Sequence, residues 1–134
     1  MGIHELDAAI VGAGTAGMYA LSRARRESER VMIFDGGTLG TTCAGREYRS
    51  DRDDGGDNAA ALMSSIRRRR DRLAGDVIDR LKGRFGDHLV TSYSSFVGPM
   101  TLEAGGEQYR CRSIVLAAGT APPLPPGWKQ APGK

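Results

Sequence analysis

The chain has little of what staples a fold, coordinates a metal or spans a bilayer. Among 134 residues there are two cysteines, Cys43 and Cys111, and two histidines, His4 and His88. Two cysteines do not make a disulfide framework, so a reduced compartment is expected. The histidines have no carboxylate partner suggested by the sequence, and solvent-facing positions are expected for both. No metal site is expected from this inventory. No apolar run approaches the roughly 20 residues that cross a bilayer, and the first residues lack the apolar stretch of a secretory signal. Met1-Gly2 opens like a myristoylation signal, but position 6 is Leu6 where the motif needs Ser or Thr. A cytoplasmic protein without membrane contact is expected. Lysine is scarce as well: apart from Lys82, Lys129 and Lys134, the positive charge is arginine. With a net charge of +3 and a pI near 9.1, biased codon use explains that as readily as a partner does.

What remains is ordinary for a soluble domain, 40% hydrophobic and 26% charged. The length suits one domain with a real core, and is short for an enzyme holding a dinucleotide and a second substrate.

The stretch with the clearest chemistry is residues 7–17, DAAIVGAGTAG. A short apolar run, residues 8–11, meets Gly12, Gly14 and Gly17, and a helix-forming run follows. In that context the glycines have separate tasks: Gly12 for a tight turn, Gly14 for close approach of a pyrophosphate, Gly17 for packing helix on strand. The helix N-terminus turns its free N–H groups and positive dipole end toward the phosphates. The second half of the fingerprint is an acidic residue ending the next strand. Residues 31–34, VMIF, form an apolar run typical of a strand buried on both faces, and Asp35 ends it, where a carboxylate can accept hydrogen bonds from ribose hydroxyls.

Further along, residues 1–5 read as a loose leader and residues 36–42 as a loop rich in Gly and Thr. Residues 44–57, AGREYRSDRDDGGD, have high charge and one large side chain, Tyr48, and read as disordered or exposed. Asp57 or Asn58 can cap a helix. In it Leu62, Ile66, Leu73, Val77, Leu81 and Phe85 keep near one face, with Gly86 as its end. Residues 88–97 then read as a strand, and residues 101–104 and 108–112 as two strands joined at Gly105-Gly106. Residues 113–118, SIVLAA, read as a buried parallel strand stopped by Gly119. The proline-rich tail cannot form a helix or central strand.

Together these segments resemble the FAD-binding domain of the pyridine nucleotide-disulphide oxidoreductases, most of all dihydrolipoamide dehydrogenase and mercuric reductase-like members. The resemblance is carried by AIVGAGTAGMYA, VMIFDGGTLGTTCA, SSIRRRRDRLAG and FVGPMTLEAGGEQYRCRSIVLAAGTAPPLPP. It covers most of residues 6–127. It implies an α/β, Rossmann-like FAD-binding domain over residues 1–127, with a parallel sheet, a long helix and an inserted antiparallel β-meander, followed by a tail at 128–134. It also implies that Gly12, Gly14 and Gly17 hold the FAD pyrophosphate and Asp35 the adenosine ribose. Thr42 would lie along the cofactor, Ser94 would meet the adenine, and Ala118-Gly119 would pass close by. Ala118 stands where the family carries Thr.

The chain departs from the pattern at the redox centre. Cys43 matches the first cysteine of the family's Cys-x4-Cys pair, but the second position is Tyr48 and no Pro-Ser-Lys follows. Residues 44–57 stand where the family has a longer connection, as an internal deletion or frameshift would leave them. The family's NAD-binding and dimer-interface domains, through which it would homodimerise, have no counterpart in these residues. Exchange with a disulfide needs one thiolate to attack and a second to resolve the mixed disulfide. A single Cys43 cannot complete that cycle, and Cys111 reads as a small core residue. The expectation is an FAD-binding portion of a flavin disulfide oxidoreductase, catalytically incomplete alone. The alternatives are a small NAD(P)-binding Rossmann protein or a non-functional remnant. Nucleic-acid binding through Arg67–Arg70 is not expected: four adjacent arginines spread around a helix, and no aromatics interleave for stacking.

Overall fold

A computed structural model describes residues 2–37, 39, 59–120 and 125–128. Four short strands make a parallel sheet: β2 (Ala8–Val11), β3 (Val31–Phe34), β4 (Leu89–Val90) and β8 (Ile114–Leu116), in the order β4-β3-β2-β8. A second sheet, β1-β7-β6-β5, contains β1 (Ile3–Leu6), β5 (Ser94–Gly98), β6 (Thr101–Ala104) and β7 (Glu107–Cys111). Strands β5, β6 and β7 form an antiparallel meander, and β1 joins it in parallel to β7. Helix α1 (Thr15–Ala24) links β2 to β3, and helix α2 (Ala59–Phe85) leads through a 3-10 turn, Gly86–His88, into β4.

Side-chain alternation sorts the central strands into two apolar layers. On one face Ile10, Val31 and Ile33 pack with Leu21 of α1 and with Leu81 and Phe85 of α2. On the other face Ala9 and Phe34 pack with Leu6, Leu102, Ala104, Tyr109 and Cys111 of the second sheet. The parallel sheet is therefore covered by helices on one side and by the meander on the other. This is a mixed α/β, Rossmann-like architecture, as the residue pattern predicts.

Several expectations are corrected. Residues 3–5 are not a loose leader, since β1 pairs Ile3 with Gln108 and Leu6 with Cys111. Residues 6–11, which read in the sequence as one strand, are divided at Asp7, where the chain crosses from β1 in one sheet to β2 in the other. Asp7 ties that crossing to its neighbours: its carboxylate accepts hydrogen bonds from Ser28 Oγ at 2.6 Å and Arg30 Nη2 at 2.9 Å. Its carbonyl accepts one from Ser113 Oγ at 2.8 Å. Those bonds, Ser28 first and then Arg30, hold the Asp7 carboxyl below its ordinary range. Residues 88–97 are likewise two strands in two sheets, β4 and β5, with a break between them. Strand β8 is an edge strand rather than a buried one, which leaves Leu116 65% exposed. His88 does not stand free in solvent: its Nδ1 donates to Val31 O at 2.8 Å while its Nε2 meets Arg25. His4 is exposed, as expected, while stacking on Tyr109 and approaching Glu107.

Candidate functional site: the groove around Asp35

The site is built where β2, β3 and β8 end on the same side of the sheet. Gly12 follows β2 with φ +104°, a conformation that side chains rarely adopt. A Cβ there would lie 2.2 Å from Ala117 O at the end of β8. Gly17 allows α1 to seat directly on the turn, since its Cβ would lie 1.7 Å from Gly12 O. Gly14 is the N-cap of α1, with extended backbone, no capping hydrogen bond from a side chain and no acidic residue in the first turn. The amides of that turn and the positive end of the helix dipole are therefore not neutralised by a carboxylate of the turn itself.

Asp35 stands immediately beyond β3. Its Oδ2 accepts the Ala13 N–H at 2.8 Å and its Oδ1 accepts the Gly37 N–H at 2.9 Å. These two bonds fix the carboxylate without saturating it, because each oxygen keeps a lone pair for another donor.

Two clefts open on either side of this carboxylate. One, of about 340 Å³, is lined by Gly14, Thr15 and Ala16 of the helix start and by Ala117, Ala118 and Gly119. The other, of about 360 Å³, is lined by Gly36, Gly37, Ser92, Tyr93 and Ser94. Gly12, Asp35 and Ala118 border both, so the clefts form one groove. Its volume is in the range of small-molecule sites. It has an anion-attracting helix start at one end, a hydrogen-bond acceptor in the middle and an aromatic side chain at the other end.

Seven of the residues singled out in the sequence thus come close together: Gly12, Gly14, Gly17, Asp35, Ser94, Ala118 and Gly119. Thr42, Cys43 and Tyr48, with residues 44–57, lie outside the described residues. Cys111 does not meet the groove. It is buried, its Sγ donates to Tyr109 O at 3.4 Å, and burial raises its thiol pKa, which keeps it in the unreactive thiol form. Sequence reasoning missed Tyr93 and the role of Gly36 beneath it. The signal was a glycine directly after the acidic residue, read only as loop. Among the described residues no group of three or more His, Cys, Asp or Glu could hold a metal ion, and no helix is long and apolar enough to cross a membrane.

The pattern of the pyridine nucleotide-disulphide oxidoreductases matches residues 6–134. The chain belongs to that family. Among solved structures it is similar to the copper(II) complex of the HOCl-induced flavoprotein disulfide reductase RclA from Escherichia coli. That match has a TM-score of 0.68 at 16% identity and covers 89% of this chain and 29% of that one. A further structure of the same reductase matches with a TM-score of 0.59 at 17% identity, covering 90% of this chain and 29% of the reductase. At such identities the likeness is one of fold. The family chain described here spans under a third of the length of those reductases.

Proposed function

We propose that the groove around Asp35 binds FAD, and that the chain is the flavin-binding portion of a disulfide oxidoreductase of the dihydrolipoamide dehydrogenase type. The observation that carries this reading is the fixed Asp35 carboxylate between the two clefts. In it, the α1 N-terminus faces the pyrophosphate, and Asp35 accepts hydrogen bonds from the ribose hydroxyls. Gly12, Ala118 and Gly119 present backbone with at most a methyl group, and Ser94 lies at the adenine end. When bound, FAD would supply two-electron redox chemistry between a nicotinamide and a dithiol. This chain's residues orient its nucleotide half and keep bulk away from the pyrophosphate.

In this proposal the chain does not carry the whole electron path. Cys43 is the lone match to the redox pair, and Tyr48 replaces the thiol that would resolve a mixed disulfide. The test is to incubate the purified chain with FAD or NAD, remove free ligand by gel filtration and record the visible spectrum. Retained flavin absorption in the monomer peak supports the reading. A colourless protein that retains NAD makes it an NAD-binding Rossmann protein instead, and an aggregated protein retaining neither fits a non-functional remnant.

A further inference from the structure

At the end of the groove away from α1, the fold leaves a large aromatic side chain uncovered. Tyr93 lines the cleft beside Asp35 and is 79% exposed. Its place is nevertheless fixed. The residue lies directly against Gly36, where a Cβ would come within 2.3 Å of the Tyr93 nitrogen and 2.4 Å of its ring. Gly36 is not required there by its backbone conformation, since it is not among the positive-φ glycines. It is required by the proximity of Tyr93.

Hydrogen bonds fix the segments that carry these two residues. Asp35 N donates to Val90 O at 3.0 Å, joining the end of β3 to the segment that leads to Tyr93. Ser92 Oγ accepts from Gly105 N at 3.0 Å and donates to Tyr93 O at 3.3 Å, tying that segment to the β6–β7 turn. The ring is thus seated on one side and open on the other, within the cleft that Asp35 borders.

We propose that Tyr93 is the stacking platform for the base of the bound dinucleotide, with Gly36 as its seat. The inference rests on the FAD reading above and adds to it the residue that holds the adenine. A ligand with phosphates at the α1 start and a ribose at Asp35 passes its base into the Tyr93 cleft, because Gly12, Asp35 and Ala118 border both clefts. An aromatic face attracts any nucleobase, since every base has a π-face. Recognition of the base edge is sparser. The Ser92 hydroxyl is already engaged, whereas the Ser94 hydroxyl has no hydrogen-bond partner among the described residues. The site should therefore demand a base while discriminating weakly between purines.

The experiment is calorimetric titration of ADP and GDP into the full chain and its Tyr93→Phe, Tyr93→Leu and Tyr93→Ala variants, with thermal melts of each. The expected result is ADP binding weakened roughly ten- to hundredfold by Tyr93→Leu and Tyr93→Ala. Tyr93→Phe should restore wild-type affinity, GDP should bind nearly as well as ADP, and the melts should coincide because the ring is exposed. Unchanged ADP affinity in Tyr93→Ala would overturn the stacking role while leaving the dinucleotide site standing. So would an equal loss in Tyr93→Phe. Wild-type protein that binds neither ADP nor FAD would overturn the site itself, and the stacking role with it.

Discussion

Gly17 in α1 and Gly75 in α2 are both helical glycines in one small protein. A Cβ on Gly17 would lie 1.7 Å from a backbone oxygen of the glycine-rich turn, whereas one on Gly75 would meet nothing within 4 Å. The contrast extends to the regions around them. The β2–α1–β3 unit is packed on both faces: Ile10, Leu21 and Ile33 are fully buried on the helix side, and Phe34 is 1% exposed on the other. Helix α2 touches that core mainly near its C-terminus, with Leu81 at 2% and Phe85 at 8% exposed. Further back, Leu73 is 37% and Met63 48% exposed. The same residue type, or the same apolar spacing, therefore has different energetic weight in the two regions. Packing density, not helical periodicity, decides which.

The sharpest way to break this comparison is Gly17→Ala. The added methyl must displace backbone at the turn, so destabilisation above about 4 kcal/mol is expected, among the largest effects of single substitutions. Urea unfolding should show no cooperative transition near the wild-type midpoint. Next, Phe34→Ala should lower stability by about 3–5 kcal/mol through the lost burial and the cavity it leaves. Leu73→Ala, on the exposed part of α2, should cost less than about 0.5 kcal/mol. Comparable losses for the two would refute the claim that α2 contributes unevenly along its length.

A smaller effect concerns the crossing between sheets and is confined to acid. Asp7 has a folded-state pKa below its ordinary value, so the folded chain binds fewer protons there than the unfolded chain. Its contribution is complete above the ordinary carboxylate value and is lost as pH falls from there through the lowered folded-state value. Asp7→Asn should therefore flatten the acid limb of a melting-temperature profile below about pH 4. A variant whose profile keeps the wild-type acid slope would remove Asp7 from the account. Smallest and opposite in sign, Gly75→Ala should raise stability by up to about 1 kcal/mol, because alanine is the better helix former and has room. A loss of stability there would mean that α2 is more tightly enclosed than the comparison holds.

Much of the groove was legible in the sequence because its parts are local. Residues 12–17 and Asp35 belong to one βαβ unit, and their spacing is dictated by the turn and helix between them. The Gly105-Gly106 turn and α2 were legible for the same reason: the former has two positive-φ glycines, and the latter a long apolar period. What escaped depends on partners distant in sequence. Strand β1 is four residues long and exposed except at Leu6, and it is ordered by β7 about a hundred residues away. The break between β4 and β5 arises because Val90 completes the parallel sheet beside β3 while Ser94 pairs with Ala104 in the other. Nothing in the apolar alternation of residues 88–97 marks that change. Tyr93 escaped too, because an exposed aromatic gains meaning only once Gly36 and Asp35 are beside it.

The central claim is that the groove around Asp35 is the nucleotide cradle, and amide chemical-shift mapping during FAD titration tests it most directly. The account predicts saturable shifts confined to residues 12–17, 35–37, 92–94 and 117–119, weakened in Asp35→Ala. Saturable shifts centred on α2, or FAD binding that Asp35→Ala leaves intact, would contradict it.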